Sequence, residues 1–175
     1  MRRVIIFLPL VLFLGFVLLA LFNMGRPQQQ QIASRMVGQP VPQFALEGLD
    51  VLHPGLMTQD VQQGTPLLIN VFASWCLPCA VEAPQLAQLA KEGVVIHGIA
   101  VRDRPEAVQS FLAKNGNPFR RIGMDKDGQV QIALGSSGVP ESFIVDGRGM
   151  IRYQHIGVIT ENDLPRLRAA LKAAR

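Results

Sequence analysis

Leu67-Leu68-Ile69-Asn70-Val71-Phe72-Ala73-Ser74-Trp75-Cys76-Leu77-Pro78-Cys79 is the stretch whose reading decides the fold. Leu67 to Phe72 is an apolar run broken only by Asn70 and bounded upstream by Gly64-Thr65-Pro66, the pattern of a strand buried on both faces. The tetrapeptide Cys76-Leu77-Pro78-Cys79 holds the only two cysteines of the 175-residue chain. Cysteines three apart fall on one face of a helical turn, so they can close a tight disulfide or open to a dithiol with little backbone movement. At a helix N-terminus the free amides and the macrodipole lower the pKa of the first cysteine, Cys76, below its usual value of about 8.5. The thiolate is the form that attacks disulfides. A pair this close cannot staple distant segments, which favours redox chemistry over a structural bridge.

Downstream, Val81, Leu86, Leu89 and Ala90 recur at helical spacing between Leu77 and Lys91, with Gly93 as the stop. Val94 to Val101 reads as the next strand. Pro105 to Lys114 reads as a helix with Ala107, Val108, Phe111 and Leu112 on one face. Asn115-Gly116-Asn117-Pro118 ends that helix, and Asp125-Lys126-Asp127-Gly128 marks a turn before a short apolar stretch from Val130 to Leu134. Ser142 to Val145 and Met150 to His155 flank Asp146-Gly147-Arg148-Gly149, a hairpin signal. Glu161 to Ala174 closes the chain as a helix through Leu164, Leu167 and Leu171, and Val41 to Leu52 predicts a short strand or hairpin ahead of the core. Strand, helix, strand, helix, hairpin and helix together predict an α/β fold with a mixed central sheet and helices on both faces.

Upstream, Val4 to Phe22 is apolar apart from Pro9 and Gly15, and at about 1.5 Å per residue it nearly spans a hydrocarbon core of about 30 Å. The chain therefore reads as three parts: a membrane anchor over residues 1–25, made of a short cytoplasmic end and one transmembrane helix; a linker over 26–40 with glutamines at Gln28 to Gln31; and one domain over 41–175. A cleaved secretory signal is the competing reading. The length of the run and the lack of an A-x-A pattern after Leu21 favour the anchor. Arg2 and Arg3 keep the N-terminus in the cytoplasm and export the rest by the positive-inside rule. They also supply two of the net charges of +4, and Arg102, Arg104, Arg120 and Arg121 are scattered, so nucleic acid is not implied as a partner.

Trp-Cys-x-Pro-Cys directly after a buried strand, with the Val139-Pro140 step before a later one, resembles the thioredoxin superfamily. Within it the chain is most similar to the CcmG/DsbE group of membrane-tethered thiol:disulfide interchange proteins of cytochrome c biogenesis, which is TlpA/ResA-like. The stretches Val37 to Phe44, Asn70 to Cys76, Gly116 to Phe119 and Gly138 to Phe143 carry that resemblance. It implies a single-pass protein of the bacterial inner membrane with a periplasmic catalytic domain. That domain would reduce the haem-site cysteines of apocytochrome c, or serve other maturation components, with electrons from a transmembrane thiol reductant.

The resemblance also implies roles. Cys76 is the nucleophile and Cys79 resolves the mixed disulfide. Pro78 restrains the loop. Pro140 is expected to be cis and to expose the backbone of Val139 for strand-like pairing with a partner, an ordinary trans proline being the other reading. Asn70 stands where thioredoxins have a buried aspartate, and Glu82, one turn beyond Cys79, is the candidate to accept its proton; the alternative is a solvated helix glutamate. Glu141 is a second acidic candidate. Trp75 is expected either to pack beside the pair and limit solvent access or to be a core residue. Ser136 and Ser137 depart from the bulkier groove residues expected before Pro140.

No Gly-x-Gly-x-x-Gly follows a strand, so the Cys76-Cys79 dithiol is expected to be the whole cofactor. His53, His97 and His155 lie far apart and lack ligand spacing with the cysteines, so no metal site is expected. Two rivals remain: a related reductant serving another client such as copper-site assembly, and a non-enzymatic Cu(I)-binding module that uses both cysteines as soft ligands.

Overall fold

The computed structural model describes residues 13–17 and 36–175. Residues 13–17 are helical. The rest of the anchor expected over 1–25, and most of the linker expected over 26–40, lie outside the described residues. Among the described residues no helix is long and apolar enough to cross a membrane. The chain divides by its contacts into Met1–Ile32 and Ala33–Arg175, and the second unit contains everything that follows.

In chain order its strands are β1 (Ala45–Leu46), β2 (Leu56–Met57), β3 (Leu67–Phe72), β4 (Val95–Val101), β5 (Arg121–Asp125), β6 (Glu141–Val145) and β7 (Ile151–Ile156). Its helices are α1 (Leu77–Lys91), α2 (Pro105–Asn115), α3 (Gln129–Ala133) and α4 (Leu164–Ala173). Every residue of β3 is buried, as a run that is apolar apart from Asn70 predicts, and the strand lies at the centre of a five-stranded sheet of order β5-β4-β3-β6-β7. β3, β4 and β5 are parallel and joined through helices, whereas β6 and β7 run antiparallel. The sheet is therefore mixed, as the element order predicts.

Alternation along β3 sends its side chains to two cores. Leu68 and Phe72 point into a cluster with Leu86 and Leu89 of α1, Val108 and Leu112 of α2, and Leu164 and Leu167 of α4. Leu67, Ile69 and Val71 point the other way, against Val130 and Leu134 around α3 and against Val41, Leu56 and Val61. Phe72 stacks on Phe119 at 4.7 Å, and Gly98 opens the space: a Cβ there would lie 2.9 Å from the Phe72 ring and 3.1 Å from Phe119.

The strand β5 went unread in the sequence because Gly123 interrupts its apolar pattern. The interruption has a packing cause, since a side chain at Gly123 would meet Leu46 at 2.8 Å and Leu56 at 3.1 Å, where β1 and β2 press onto the sheet. Of the element expected over Val41 to Leu52, the structure places one strand, β1, inside those bounds; its hairpin partner β2 lies beyond them, with Ala45 opposite Met57. The segment just before it is tied down as well: the Gly38 N–H donates to Ile151 O at 2.8 Å, and Val41 N–H to Gly149 O at 2.8 Å. The turn Asp146-Gly147-Arg148-Gly149 joins β6 to β7, as the hairpin signal predicts.

Candidate active site

β3, apolar apart from Asn70, ends at Phe72, and after four intervening residues α1 begins at Leu77. Cys76 is the residue that caps it: the Cys76 N–H donates to Ala73 O at 3.2 Å, and the Cys79 N–H donates to the Cys76 sulfur at 3.1 Å. Pro78 occupies the first turn, where a missing N–H leaves nothing unpaired. The two cysteines form a disulfide, S–S 2.06 Å with Cα atoms 5.3 Å apart. Both are buried.

The residues on either side of Cys76 are not. Trp75 is 62% exposed and Leu77 77% exposed, so Trp75 is not a core tryptophan. It stands between two grooves. One, of about 430 Å³, is lined by Trp75, Cys76, Leu77, Ala80, Phe111 and Lys114 among others; the second, of about 230 Å³, is bounded by Trp75, Arg102, Ile132, Ser137 and Val139. Cys76 lines the first groove and is thereby the cysteine that a partner's sulfur can approach. The chain before Trp75 is held by a residue that sequence reading missed: Asp103, in the β4–α2 loop, accepts Ser74 Oγ–H at 2.8 Å and the Ser74 N–H. Nothing local in Arg102-Asp103-Arg104 signals that role.

The second groove ends at the loop before β6. The Val139–Pro140 peptide is cis, with Pro140 buried and Val139 half-buried at the groove wall. The serines that stand where bulkier residues were expected organise this loop. Ser137 donates its N–H and its Oγ–H to the Glu141 carboxylate, the latter at 2.7 Å, and Ser136 Oγ–H donates to Gly138 O at 2.9 Å. Gln154 of β7 adds a donor to Glu141 at 3.3 Å. Glu141 is buried and fully engaged in shaping the loop.

One helical turn beyond Cys79, a polar cluster lies inside an apolar core. Asn70 in β3 faces Ser142 in β6, and its Nδ2 donates to Ser142 Oγ at 3.0 Å and to Glu82 Oε1 at 2.8 Å. The other Glu82 oxygen accepts the Ile159 N–H at 2.9 Å. Glu82 is only 1% exposed, so the solvated-glutamate reading does not describe it. Burial pushes its pKa from the ordinary 4.5 up to about 7, because an ion without solvent is costly; the Ile159 and Asn70 hydrogen bonds pull the other way without overcoming it. A carboxyl poised near neutrality, one helical turn beyond Cys79, can take or return a proton. Ser142 and Ile159 complete the cluster from residues 72 and 77 positions away, which no local pattern announces.

The histidines lie apart. His53 meets Asp50 at 2.7 Å, His155 reaches Val158 O at 3.2 Å, and His97 is buried in β4, where desolvation holds its pKa down to about 4. Among the described residues no three His, Cys, Asp or Glu side chains gather as a metal ion would need.

Comparison with known proteins gives a consistent answer. The Redoxin family profile matches residues 36–171. The thiol:disulfide interchange protein DsbE of Escherichia coli K12 is 38% identical over 163 residues, covering 90% of this chain and 87% of that protein. The thiol:disulfide interchange protein HelX of Rhodobacter capsulatus is 36% identical, covering 93% of this chain and 92% of its own. Among solved structures, one from Chlorobium tepidum described as a thiol:disulfide interchange protein DsbE superposes with a TM-score of 0.69 at 26% identity, over 79% of this chain and 96% of that one.

Proposed function

This chain belongs to the Redoxin family and is a thioredoxin-like thiol:disulfide oxidoreductase, and from that premise we propose that it is a membrane-anchored periplasmic reductant of the haem-site cysteines of apocytochrome c. The observation that carries the chemistry is the Cys76–Cys79 disulfide at the start of α1, with Cys76 lining an open groove and Cys79 buried one helical turn before the buried Glu82. The cytochrome client, the inner-membrane anchor over residues 1–25 and a transmembrane thiol reductant as electron donor are supported by the resemblance of the sequence to the CcmG/DsbE group.

The reaction starts from the dithiol form. The Cys76 thiolate, stabilised by the Cys79 N–H and the amides of the first turn of α1, attacks one sulfur of the partner disulfide and releases the other as a thiolate. Cys79 then loses its proton to Glu82 and attacks the Cys76 sulfur, which expels the partner's second sulfur as a thiolate and leaves the Cys76–Cys79 disulfide; the partner becomes a dithiol by taking up two protons, one returned by Glu82 and one from solvent. Two electrons pass to the client, and the pair must be reduced again before the next cycle. The dithiol serves as the whole redox group. Val139 pairs through its backbone with an extended partner chain laid along the second groove, a reading supported by the cis peptide at Pro140 and by Val139 lining that groove.

The test is the equilibrium reduction potential of the pair together with its exchange rate on an oxidised C-x-x-C-H peptide. A potential near or below roughly −210 mV with transfer to the peptide supports the reading, whereas a value near about −120 mV makes the protein an oxidant and sinks it.

A further inference from the structure

The Asn70 amide has a feature that fold and exchange chemistry leave unexplained. Its Nδ2 spends both hydrogens, on Glu82 Oε1 and on Ser142 Oγ, while its Oδ1 is fully buried with no hydrogen-bond partner. A buried acceptor left without a donor is costly, because it has given up its hydrogen bonds to water. The arrangement suits only one state of its neighbour. With the Asn70 amide on one oxygen and the Ile159 N–H on the other, Glu82 is offered two donors and no acceptor, which matches a carboxylate. A protonated Glu82 becomes a donor itself, and then neither group facing it can accept.

We propose that the Asn70 side-chain amide turns over by half a revolution when Glu82 takes up the Cys79 proton and turns back when Glu82 releases it. In the turned state Oδ1 sits where Nδ2 was and accepts the new O–H of Glu82. Ser142 tolerates both orientations because a hydroxyl accepts from Nδ2 in one and donates to Oδ1 in the other. The turn leaves the amino group in the place Oδ1 vacated, at a cost comparable to the acceptor it replaces, so the turned amide is populated only while Glu82 holds a proton. An aspartate at this position would compete for that proton; an amide rearranges without titrating. Asn70 is on this account a positioning residue, and the inference rests on the reading of Glu82 as proton carrier.

The titratable groups around the cluster come from each element packed on it. Cys79, and beyond it Cys76, lie one turn earlier on α1. His155 of β7 shares the row Asn70, Ser142, His155 across the sheet and directs Nε2 to Val158 O. Tyr153 of β7 packs on the same core, and Glu141 of β6 is taken up by Ser137 and Gln154. From the loop after β7 the group facing Glu82 is the Ile159 N–H, which does not titrate.

The test uses the full chain, oxidised, labelled with ¹³C and ¹⁵N and held in detergent. The Glu82 carboxyl carbon is followed with pH alongside the contacts between the Asn70 amide hydrogens and the Ser142 β-hydrogens. The expected result is that those contacts are present above the Glu82 midpoint and lost below it, with one shared midpoint. Contacts that persist unchanged through the Glu82 titration make Asn70 a fixed donor and overturn the proposal. Asn70→Asp supplies the second measurement. The pair of carboxylates then shares one proton, and the pH midpoint of peptide-disulfide exchange moves up by about one unit or more; an unmoved midpoint in a folded variant also overturns it. Failure of the underlying reading shows elsewhere: an exchange profile unchanged in Glu82→Gln removes Glu82 from proton transfer whatever the amide does.

Discussion

Two buried carboxylates in this protein carry opposite proton affinities. Glu82, one helical turn beyond Cys79, is 1% exposed and is pushed up to about 7; Asp146, in the β6–β7 turn, is 5% exposed and is held below its ordinary value of 3.8. Burial opposes ionisation at both. At Asp146 it is outweighed by the Met150 and Arg148 N–H groups on one oxygen, at 3.0 and 2.9 Å, and by the Arg152 guanidinium on the other, at 2.7 Å. Glu82 has two neutral donors and no cation. Asp146 is a carboxylate held ionised in a turn, and Glu82 is one whose pKa is raised toward neutrality. Burial alone decides neither; the number and charge of the donors does.

The strongest way to sharpen this contrast is to remove the sulfur chemistry and leave both carboxylates in place. Cys76→Ser is expected to lower exchange at least about a thousandfold, while Cys79→Ser accumulates the mixed disulfide on Cys76, read by thiol trapping and mass spectrometry. Normal turnover by Cys79→Ser would show that the resolving role is misassigned.

Glu82→Gln comes next. Exchange is expected to slow about a hundredfold with a flattened pH profile. Stability moves too, and its sign is set by the raised pKa. The folded protein binds a proton that the unfolded chain has already released between pH 4.5 and about 7, so this contribution is full below pH 4.5 and lost as pH rises through 7. A rise of that size is worth about 3 kcal/mol. Urea melts of the wild type should therefore lose about that much from pH 4 to pH 8 in excess of Glu82→Gln, and parallel pH dependences would break the comparison.

Asp146→Asn works in the opposite window. A depressed carboxylate stabilises above its ordinary pKa and loses that contribution as pH falls below 3.8. The variant should cost about 2 kcal/mol at pH 7 through the Arg152 pair and the turn N–H groups, leaving the exchange rate within roughly twofold. A large fall in exchange would mean that the turn is part of the site after all. The smallest expected effect is at Ser137→Ala, which removes one donor from Glu141; about 1 kcal/mol of stability is at stake, with weaker partner binding if the cis-Pro loop loosens, checked by melts and by KM for a peptide disulfide.

Asp146 was legible in the sequence and the setting of Glu82 was not. Asp-Gly-Arg-Gly specifies a turn through the aspartate's own hydrogen bonds to Arg148 and Met150, two and four residues ahead. The spacing of Glu82 after Cys79 left a solvated side chain as open as a buried one, because the moderately apolar α1 does not announce which face goes inward. The exposure of Trp75 was hidden for a similar reason: large aromatic residues are common both in cores and at binding surfaces. β5 escaped notice because Gly123 erases its pattern to admit Leu46.

Local sequence thus determined the buried strand β3, the cysteine pair capping α1, the hairpin turn and the mixed sheet, since each depends on residues a few positions apart whose pattern is set by backbone geometry. Tertiary structure alone decided which cysteine faces a groove, how Ser137 and Glu141 hold the loop of Pro140, and the proton affinity of Glu82. That affinity depends on partners 12 and 77 residues away, brought together only when β3 and the loop after β7 close over α1 and exclude the water that would otherwise solvate the charge.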